Sequence, residues 1–230
     1  MHKHSWLIKY PKLYTFLFLK QKFINYEKLL YLQNIKKGDV VFDIGANIGY
    51  FTVLFSKICD TKGEIHAFEP VPPTFQKLLN STKYFHNVRT INKAVGDYNG
   101  LVDIHYNPND SEKASLIRPN KSRFETIKIP ILSLDSYFSE QNLNKINFVK
   151  CDVEGLEYEA LKGFEQTLLQ HKPKLSIEVT ITSEKRTRFF RFLQELGYKR
   201  FHKIQVGFPE FDPNELSNQD KDFFYIYATC

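Results

Sequence analysis

From residue 39 onward, short apolar runs alternate with segments of helical periodicity, and this alternation is the strongest constraint on the fold. The runs that predict buried strands are DVVFDI, GEIHAFE and VRTINKAV, and the segments that predict the intervening helices are IGYFTVLFSKI and VPPTFQKLLNSTKY. Strands and helices in this order form a mostly parallel sheet with helices on both faces. The sequence therefore predicts a doubly wound α/β fold.

The alternation is interrupted once and then continues to the end of the chain. LVDIHY and TIKIPIL predict two strands, and the polar loop between them, at 107–122, is long enough to form an active-site flap that sets ligand specificity. The next predicted elements are strand INFVKCDV, helix LEYEALKGFEQTLLQ, strand KLSIEV and helix TSEKRTRFFRFLQEL. YKRFHKIQ and DFFYIYAT predict a C-terminal antiparallel hairpin. We expect residues 39–230 to form one domain.

Residues 1–38 predict a basic, aromatic helical extension of that domain. Residues 1–40 hold eight lysines and two acids, which accounts for the whole formal charge of +6, whereas residues 41–230 hold 24 basic and 24 acidic residues. Apolar side chains recur in the extension at roughly helical spacing. The extension packs on the domain, or it contacts a membrane surface or a partner such as a glycosyltransferase. Because the domain itself is neutral, we expect no nucleic-acid partner.

The cysteines and the hydropathy pattern predict a cytoplasmic protein, with or without a peripheral membrane contact. Cys59, Cys151 and Cys230 are far apart and odd in number, which favours reduced thiols. No run of 18 apolar residues occurs, so no membrane-spanning helix is predicted.

The turn after the first predicted strand, DIGANIG at 43–49, is the prime position for a ligand, because ligands of doubly wound sheets bind at the carboxyl ends of the strands. Gly45 and Gly49 remove side chains where backbone passes close to a ligand, and Asp43 adds a carboxylate. The turn lacks the GxGxxG spacing of nicotinamide-binding turns and the GK[ST] end of a P-loop. With Asn47 between the glycines, it favours a nucleoside that carries an amino-acid tail.

A second acid supports this interpretation. Glu69 ends the second predicted strand, 24 residues after Gly45, where a carboxylate can accept hydrogen bonds from both ribose hydroxyls. An acid at a strand end can also cap the following helix, so neither Asp43 nor Glu69 is specific alone. Together, in this order and spacing, they favour S-adenosylmethionine (SAM) as the ligand and a methyltransferase as the protein class.

The sequence resembles the FkbM-type family of SAM-dependent methyltransferases over residues 40–179. The stretches that carry the resemblance are VVFDIGANIGYFT, IHAFEPVPPTFQKLLN, NKAVGD, ILSLDSYF, INFVKCDVEGLEYEALKG and PKLSIEV, of which DVEGLE is the most specific. The resemblance implies a class I Rossmann-like fold. It also implies methyl transfer to a hydroxyl oxygen, often on a sugar or a natural product.

Carried onto this chain, the resemblance implies two groups of site residues. The cofactor group comprises Asp43, Gly45, Asn47 and Gly49, with Glu69 at the ribose and Asn92 and Ala94 near the adenine. The second group, Asp152 and Glu154, would face the methyl group and the acceptor.

Three acids at strand ends are the candidate catalytic residues. Asp152 and Glu154 are two apart, so they point to the same side of an extended chain, and Glu178 ends the next strand. We expect Asp152 or Glu154 to act as the base and Glu178 to orient the acceptor. Together they could hold Mg²⁺, which is not favoured because no further ligand is evident. We expect Lys150 to point outward.

The sequence thus predicts an O-methyltransferase acting on a hydroxyl of a sugar, a glycan or a glycosylated natural product. A first alternative is a methyltransferase of RNA or protein, although the neutral domain argues against RNA. A second alternative is a non-catalytic SAM-binding adaptor that the N-terminal extension recruits to a membrane or a partner.

Overall fold

The computed structural model describes residues 25–107, 110–115, 124–179, 183–216 and 224–230. Most of the predicted N-terminal extension and much of the loop at 107–122 lie outside these residues. None of the helices in the described ranges is long and apolar enough to cross a membrane.

Twelve strands and seven α-helices are found in the described residues. The strands are β1 Val40–Ile44, β2 Glu64–Phe68, β3 Val88–Ile91, β4 Ala94–Val95, β5 Gly100–Asn107, β6 Asp110–Ser115, β7 Glu125–Leu132, β8 Phe148–Cys151, β9 Lys174–Val179, β10 Arg200–Lys203, β11 Glu210–Phe211 and β12 Phe224–Thr229. The helices are α1 Tyr26–Asn34, α2 Tyr50–Cys59, α3 Pro72–Thr82, α4 Leu134–Glu140, α5 Glu157–Lys162, α6 Glu165–His171 and α7 Ser183–Glu195.

The main sheet has eight strands in the order β11-β10-β12-β9-β8-β1-β2-β3. The five strands from β9 to β3 pair in parallel, and β12, β10 and β11 pair antiparallel beside β9. The predicted doubly wound sheet, with antiparallel strands at the C-terminal side, is therefore confirmed. The order reverses at β1, so the cleft between the carboxyl ends of β1 and β8 is where a ligand is expected.

Four details of the sequence-based prediction were wrong. VRTINKAV is two strands in different sheets, because the Asn92 side chain donates to the carbonyls of Glu69 and Pro70 and turns the chain between them. LEYEALKGFEQTLLQ breaks at Gly163, which lies so close to the backbone of Gly96 that no side chain fits. The loop at 107–122 contains strand β6, which pairs with β5. Its sequence, DSEKAS, has no apolar alternation to indicate a strand. The fourth detail, the position of Lys150, belongs to the site.

A smaller sheet, in the order β4-β7-β5-β6, stands beside the main one. Its buried face forms a separate apolar cluster with the loop after β2, and the cluster comprises Val71, Ala94, Ile104, Tyr106, Ile129 and Ile131. This sheet therefore supplies a wall next to the ligand-binding edge of the main sheet.

Helix α1 is part of the core of the domain. Its first turn is capped by Asn25, whose side chain accepts a hydrogen bond from the Lys28 amide at 2.8 Å. Tyr31 is fully buried and meets the rings of Phe55 and Phe148 edge-on at 4.9 and 5.7 Å. This part of the N-terminal segment thus packs on the face of the sheet that β1 and β8 form.

Replacing Tyr31 with alanine should lower the free energy of unfolding by about 3–5 kcal/mol, because a buried ring is lost and a cavity remains. Chemical denaturation of the full chain measures the change. The matched control is Tyr84→Ala, at a ring that is 77% exposed, which should change the free energy by less than about 0.5 kcal/mol. Equally small effects of both would contradict an integral role for α1.

Candidate active site

A cleft of about 210 Å³ opens at the carboxyl ends of β1, β2, β8 and β9. Seven of the ten residues that the sequence analysis singled out line it, and these are Gly45, Asn47, Glu69, Ala94, Asp152, Glu154 and Glu178. The remaining lining residues are Ile44, Phe68, Pro70, Val71, Lys93, Val95, Ile104, Val153, Leu156 and Tyr225. Asp43, Gly49 and Asn92 do not line the cleft and support it from behind.

The glycine turn between β1 and α2 is held in a left-handed conformation that its sequence allows. Gly45, Asn47 and Gly49 have φ angles of 76°, 52° and 89°, and glycine and asparagine adopt such angles most readily. A side chain at Gly45 would collide with the Asp152 carbonyl, and one at Gly49 would meet Leu78 of α3. Both glycines are therefore required by close packing within the chain. A ligand beside Gly45 would also need the space that a side chain there would fill.

Glu69 joins the glycine turn to the turn that follows β2. Its two carboxylate oxygens accept hydrogen bonds from the amides of Asn47 and Val71, at 3.0 and 2.9 Å. Burial raises the pKa of Glu69 to about 7, against the opposing effect of these two donors. The carboxylate faces the cleft and retains lone pairs that can accept further hydrogen bonds.

Asp43 acts on the turn from below. It is fully buried, and its Oδ2 accepts a hydrogen bond from the Thr52 hydroxyl at 2.6 Å. Its Oδ1 lies 3.7 Å from the Lys150 ammonium. Burial raises the pKa of Asp43, while Lys150 opposes that rise. Asn92 is a second support, since its amide donates to two carbonyls of the turn after β2.

The three candidate catalytic acids converge at one side of the cleft. Asp152, Glu154 and Glu178 each offer a carboxylate oxygen within 4.8 Å of the others, a spacing that could hold a divalent cation. Glu178 is 5% exposed, and burial followed by the nearby Asp152 raises its pKa to about 9. Burial opposes the charge on Asp152, but Lys150 and a hydrogen bond from Glu178 together outweigh it and hold the pKa of Asp152 below its usual value. At neutral pH the pair therefore carries one proton, on Glu178.

The turn after β8 exposes Glu154 to the cleft. Glu154 has a φ of 54°, unusual for a residue with a side chain, and Gly155 follows at 100°. Glu157, which is fully buried, stabilises this turn by accepting a hydrogen bond from the Gly155 amide at 2.9 Å. Burial raises the pKa of Glu157 to about 7. The left-handed backbone thus places Glu154 beside Asp152 at the mouth of the cleft.

The prediction that Lys150 points outward was wrong. Lys150 is 3% exposed, and its ammonium lies 3.0 Å from Asp152 Oδ2 and 3.4 Å from the Gly45 carbonyl. Strand β8 is central and buried on both faces, so alternation along it leads to no solvent-facing side. Burial opposes the ammonium charge, but Asp152 and then Asp43 outweigh it and raise the pKa of Lys150.

Tyr225 is a further site residue that the sequence analysis missed. It lies in β12 opposite Glu178, and its hydroxyl hydrogen-bonds the Glu178 carboxyl. It comes from an antiparallel strand inserted beside β9, about 50 residues later in the chain, so no local motif indicates it. Lys150 could have been assigned to the site from its spacing. It lies two residues before Asp152, and side chains two apart point to the same side of a strand.

Together, the strand order, the glycine turn after β1, the acid after β2 and the carboxylates after β8 define a class I methyltransferase fold. The family model for the "Methyltransferase FkbM domain" matches residues 43–200, more than half of the chain. The chain therefore belongs to the FkbM methyltransferase domain family.

Curated relatives of this chain carry names that specify the acceptor or the position of methylation. The chain is 34% identical over 140 residues to the "Hexuronic acid methyltransferase AglP" of Haloferax volcanii, covering 60% of this chain and 55% of that protein. It is 26% identical over 147 residues to the "2-O-methyltransferase NoeI" of Sinorhizobium fredii, covering 58% and 60%. The chain thus spans little more than half the length of these relatives.

Solved structures support the same fold. The FkbM methyltransferase of Methylobacillus flagellatus superposes with a TM-score of 0.56 at 15% identity, over 97% of this chain and 60% of that one. Fibrillarin of Aeropyrum pernix, solved with bound SAM, superposes with a TM-score of 0.52 at 13% identity, over 85% and 68%.

Replacing Glu178 with glutamine should flatten the dependence of stability on pH between about 7 and 9. The raised pKa of Glu178 means that its contribution to folding is fully present below the unfolded-state pKa and is lost as pH rises through about 9. The wild-type free energy of unfolding should therefore fall by about 2 kcal/mol across that interval relative to Glu178→Gln. Denaturation at several pH values measures it, with the exposed Glu195→Gln as control. Parallel curves for Glu178→Gln and wild type would contradict the assignment.

Proposed function

We propose that this protein is a SAM-dependent O-methyltransferase that methylates a hydroxyl of a sugar, a glycan or a glycosylated natural product. The observation that carries the proposal is the group of three acids, Asp152, Glu154 and Glu178, in a cleft that the glycine turn and Glu69 also line. The name of one relative specifies a hexuronic acid, which supports a sugar acceptor, and the 2-O position in the name of the other supports transfer to an oxygen.

The cleft has the chemistry that SAM requires. Glu69 offers a carboxylate for ribose hydroxyls, and Gly45 offers bare backbone beside it. An apolar strip suited to an adenine ring is formed by Phe68, Val71, Ala94, Val95 and Ile104. The acids at the other end suit a cation, and Glu178 Oε2 is buried with no hydrogen-bond partner among the described residues. We propose that Asp43, Gly49 and Asn92 act by supporting these contacts.

SAM, when bound, supplies an electrophilic methyl carbon on a sulfonium cation. The work of the chain is to orient the acceptor hydroxyl and to take its proton. Asp152 is ionised at neutral pH and faces the cleft, so it can accept a hydrogen bond from that hydroxyl. Glu178 and Tyr225 flank it and can bond a neighbouring hydroxyl. The bond from the methyl carbon to sulfur would break as the bond to the acceptor oxygen forms, which would leave S-adenosylhomocysteine, and Asp152 would take up the hydroxyl proton. Glu154, which is exposed, would pass that proton on to water.

The lining of the cleft favours a polyol over the two alternative classes of acceptor. Three acids and a tyrosine hydroxyl can bond adjacent sugar hydroxyls, whereas the phosphates of RNA would be repelled by the same acids. A non-catalytic adaptor has no need for three converging acids, one of them buried. We propose that Mg²⁺ is not required, because the described residues offer no further ligand beside the three acids. Any contact of residues 1–38 with a membrane or a glycosyltransferase is a separate proposal.

Calorimetric titration tests the cofactor. SAM should bind with a micromolar dissociation constant, and NAD should not bind. At pH 8, above the Glu69 pKa of about 7, Glu69→Gln should weaken SAM binding by about 10- to 100-fold, because a charged hydrogen-bond acceptor is lost. Glu195→Gln, at an exposed acid far along the chain, is the matched control and should leave the affinity unchanged. Equal binding of SAM and NAD would overturn the assignment of the cofactor.

A screen of acceptors with labelled SAM tests the reaction. Sugars, uronic acids and glycosylated small molecules are compared with RNA and with protein. With a turned-over sugar, Asp152→Asn should lower kcat by about 100-fold or more, and Glu154→Gln should lower it less. Addition of a metal chelator should leave the rate of methyl transfer unchanged. Transfer only to RNA or protein would replace the proposed acceptor class, and an unaffected Asp152→Asn variant would remove Asp152 as the base.

A further inference from the structure

Lys150 is buried directly behind the cleft and does not line it. Its ammonium lies 3.0 Å from Asp152 Oδ2, 3.4 Å from the Gly45 carbonyl oxygen and 3.7 Å from Asp43 Oδ1. It thus contacts both the turn proposed to hold the cofactor and the acid proposed as the base. A group in this position acts on a ligand only through these neighbours.

The surroundings of Lys150 come from several elements. Register places it beside Asp43 of β1 and Ser176 of β9, on the face that α1 covers. From α1, Glu27 faces the same charge, and its carboxylate accepts a hydrogen bond from the Tyr31 hydroxyl, which also contacts Ser176. From α2, the ring of Phe51 lies 5.7 Å from the ammonium.

The acids on the cleft side complete this environment. Glu178, Glu154 and Glu157 all lie near Asp152. All three are acids, so none of them can balance the negative charge of Asp152. The Lys150 ammonium therefore offsets the charge of Asp152 and of Asp43 at once. Without it, two buried or half-buried carboxylates would face each other across the turn, and one would take up a proton or move toward water.

We propose that Lys150 is a positioning residue for methyl transfer, whose ammonium fixes the Asp152 carboxylate against the glycine turn in its ionised form. The proposal rests on the proposed function, since it assigns Asp152 a partner in that reaction. It couples the two halves of the site, because the same ammonium bonds the Gly45 carbonyl and neighbours the Asp152 carboxylate. Cofactor affinity and acceptor activation should both depend on it, the second through Asp152.

The primary test is the pH dependence of SAM affinity in Lys150→Met, which keeps the length of the side chain and removes its charge. Between about pH 6 and 8, titration of Asp152 should contribute little to the pH dependence of wild-type SAM affinity, because Asp152 is ionised throughout that interval. Lys150→Met should bind SAM about tenfold more weakly near pH 6 and recover part of that loss near pH 8, as Asp152 ionises. The exposed Lys199→Met is the matched control.

Two further variants separate positioning from a purely structural role. Lys150→Arg retains a cation and should keep the wild-type pH profile even if its affinity is lower. In an Asp152→Asn background, adding Lys150→Met should produce no pH-dependent loss, because the group through which Lys150 acts is gone. Thermal unfolding of each variant confirms that the protein tested is folded.

Two outcomes overturn this proposal alone. One is that the wild-type protein binds SAM and that Lys150→Met lowers SAM affinity by the same factor at all pH values. The other is a loss that persists unchanged in the Asp152→Asn background. Absence of SAM binding by wild-type protein would instead overturn the proposed function, and this inference with it. A pH-dependent loss that is abolished in Asp152→Asn supports Lys150 as the positioning residue.

Discussion

The close contact between the glycine turn after β1 and the backbone of Asp152 after β8 is the constraint on which the site depends. At Gly45 the two chains are so close that no side chain fits between them. This contact brings the ends of β1 and β8 together and leaves room beneath for one buried ammonium, that of Lys150. Gly45 is therefore required by the packing of the two strand ends, and the cleft in front of it is a consequence of that packing.

Electrostatics then divides the acids of the site into distinct roles. Asp152 is next to Lys150 and stays ionised, whereas Glu178 is buried beside Asp152 and keeps a proton at neutral pH. Glu69 and Glu157 each accept backbone hydrogen bonds and stabilise the two turns that frame the cleft. The same type of side chain is thus ionised at one position, protonated at another and a support for a turn at two more, because burial and neighbouring charge differ at each position.

Sequence reasoning predicted the features that depend on local pattern. Apolar runs predicted the parallel strands. The glycines and acids that follow these runs predicted the glycine turn and the acids at the ends of β2, β8 and β9. Lys150 was misassigned because a central strand is buried on both faces, so alternation does not separate inside from outside. Tyr225 could not be predicted, because only the insertion of β12 beside β9 brings it to Glu178. The role assigned to each acid of the cleft stays a prediction.

The central claim is that the acids of the cleft are matched to the positive charge of a sulfonium. Calorimetry of SAM and of S-adenosylhomocysteine in buffers of different ionisation enthalpy, near pH 8, tests it most directly. Because a cation beside Glu178 favours loss of its proton, binding of SAM should release up to about one proton more than binding of S-adenosylhomocysteine, which lacks the sulfonium charge. Equal proton release by the two ligands would contradict the claim, since the acids would then not face the sulfonium.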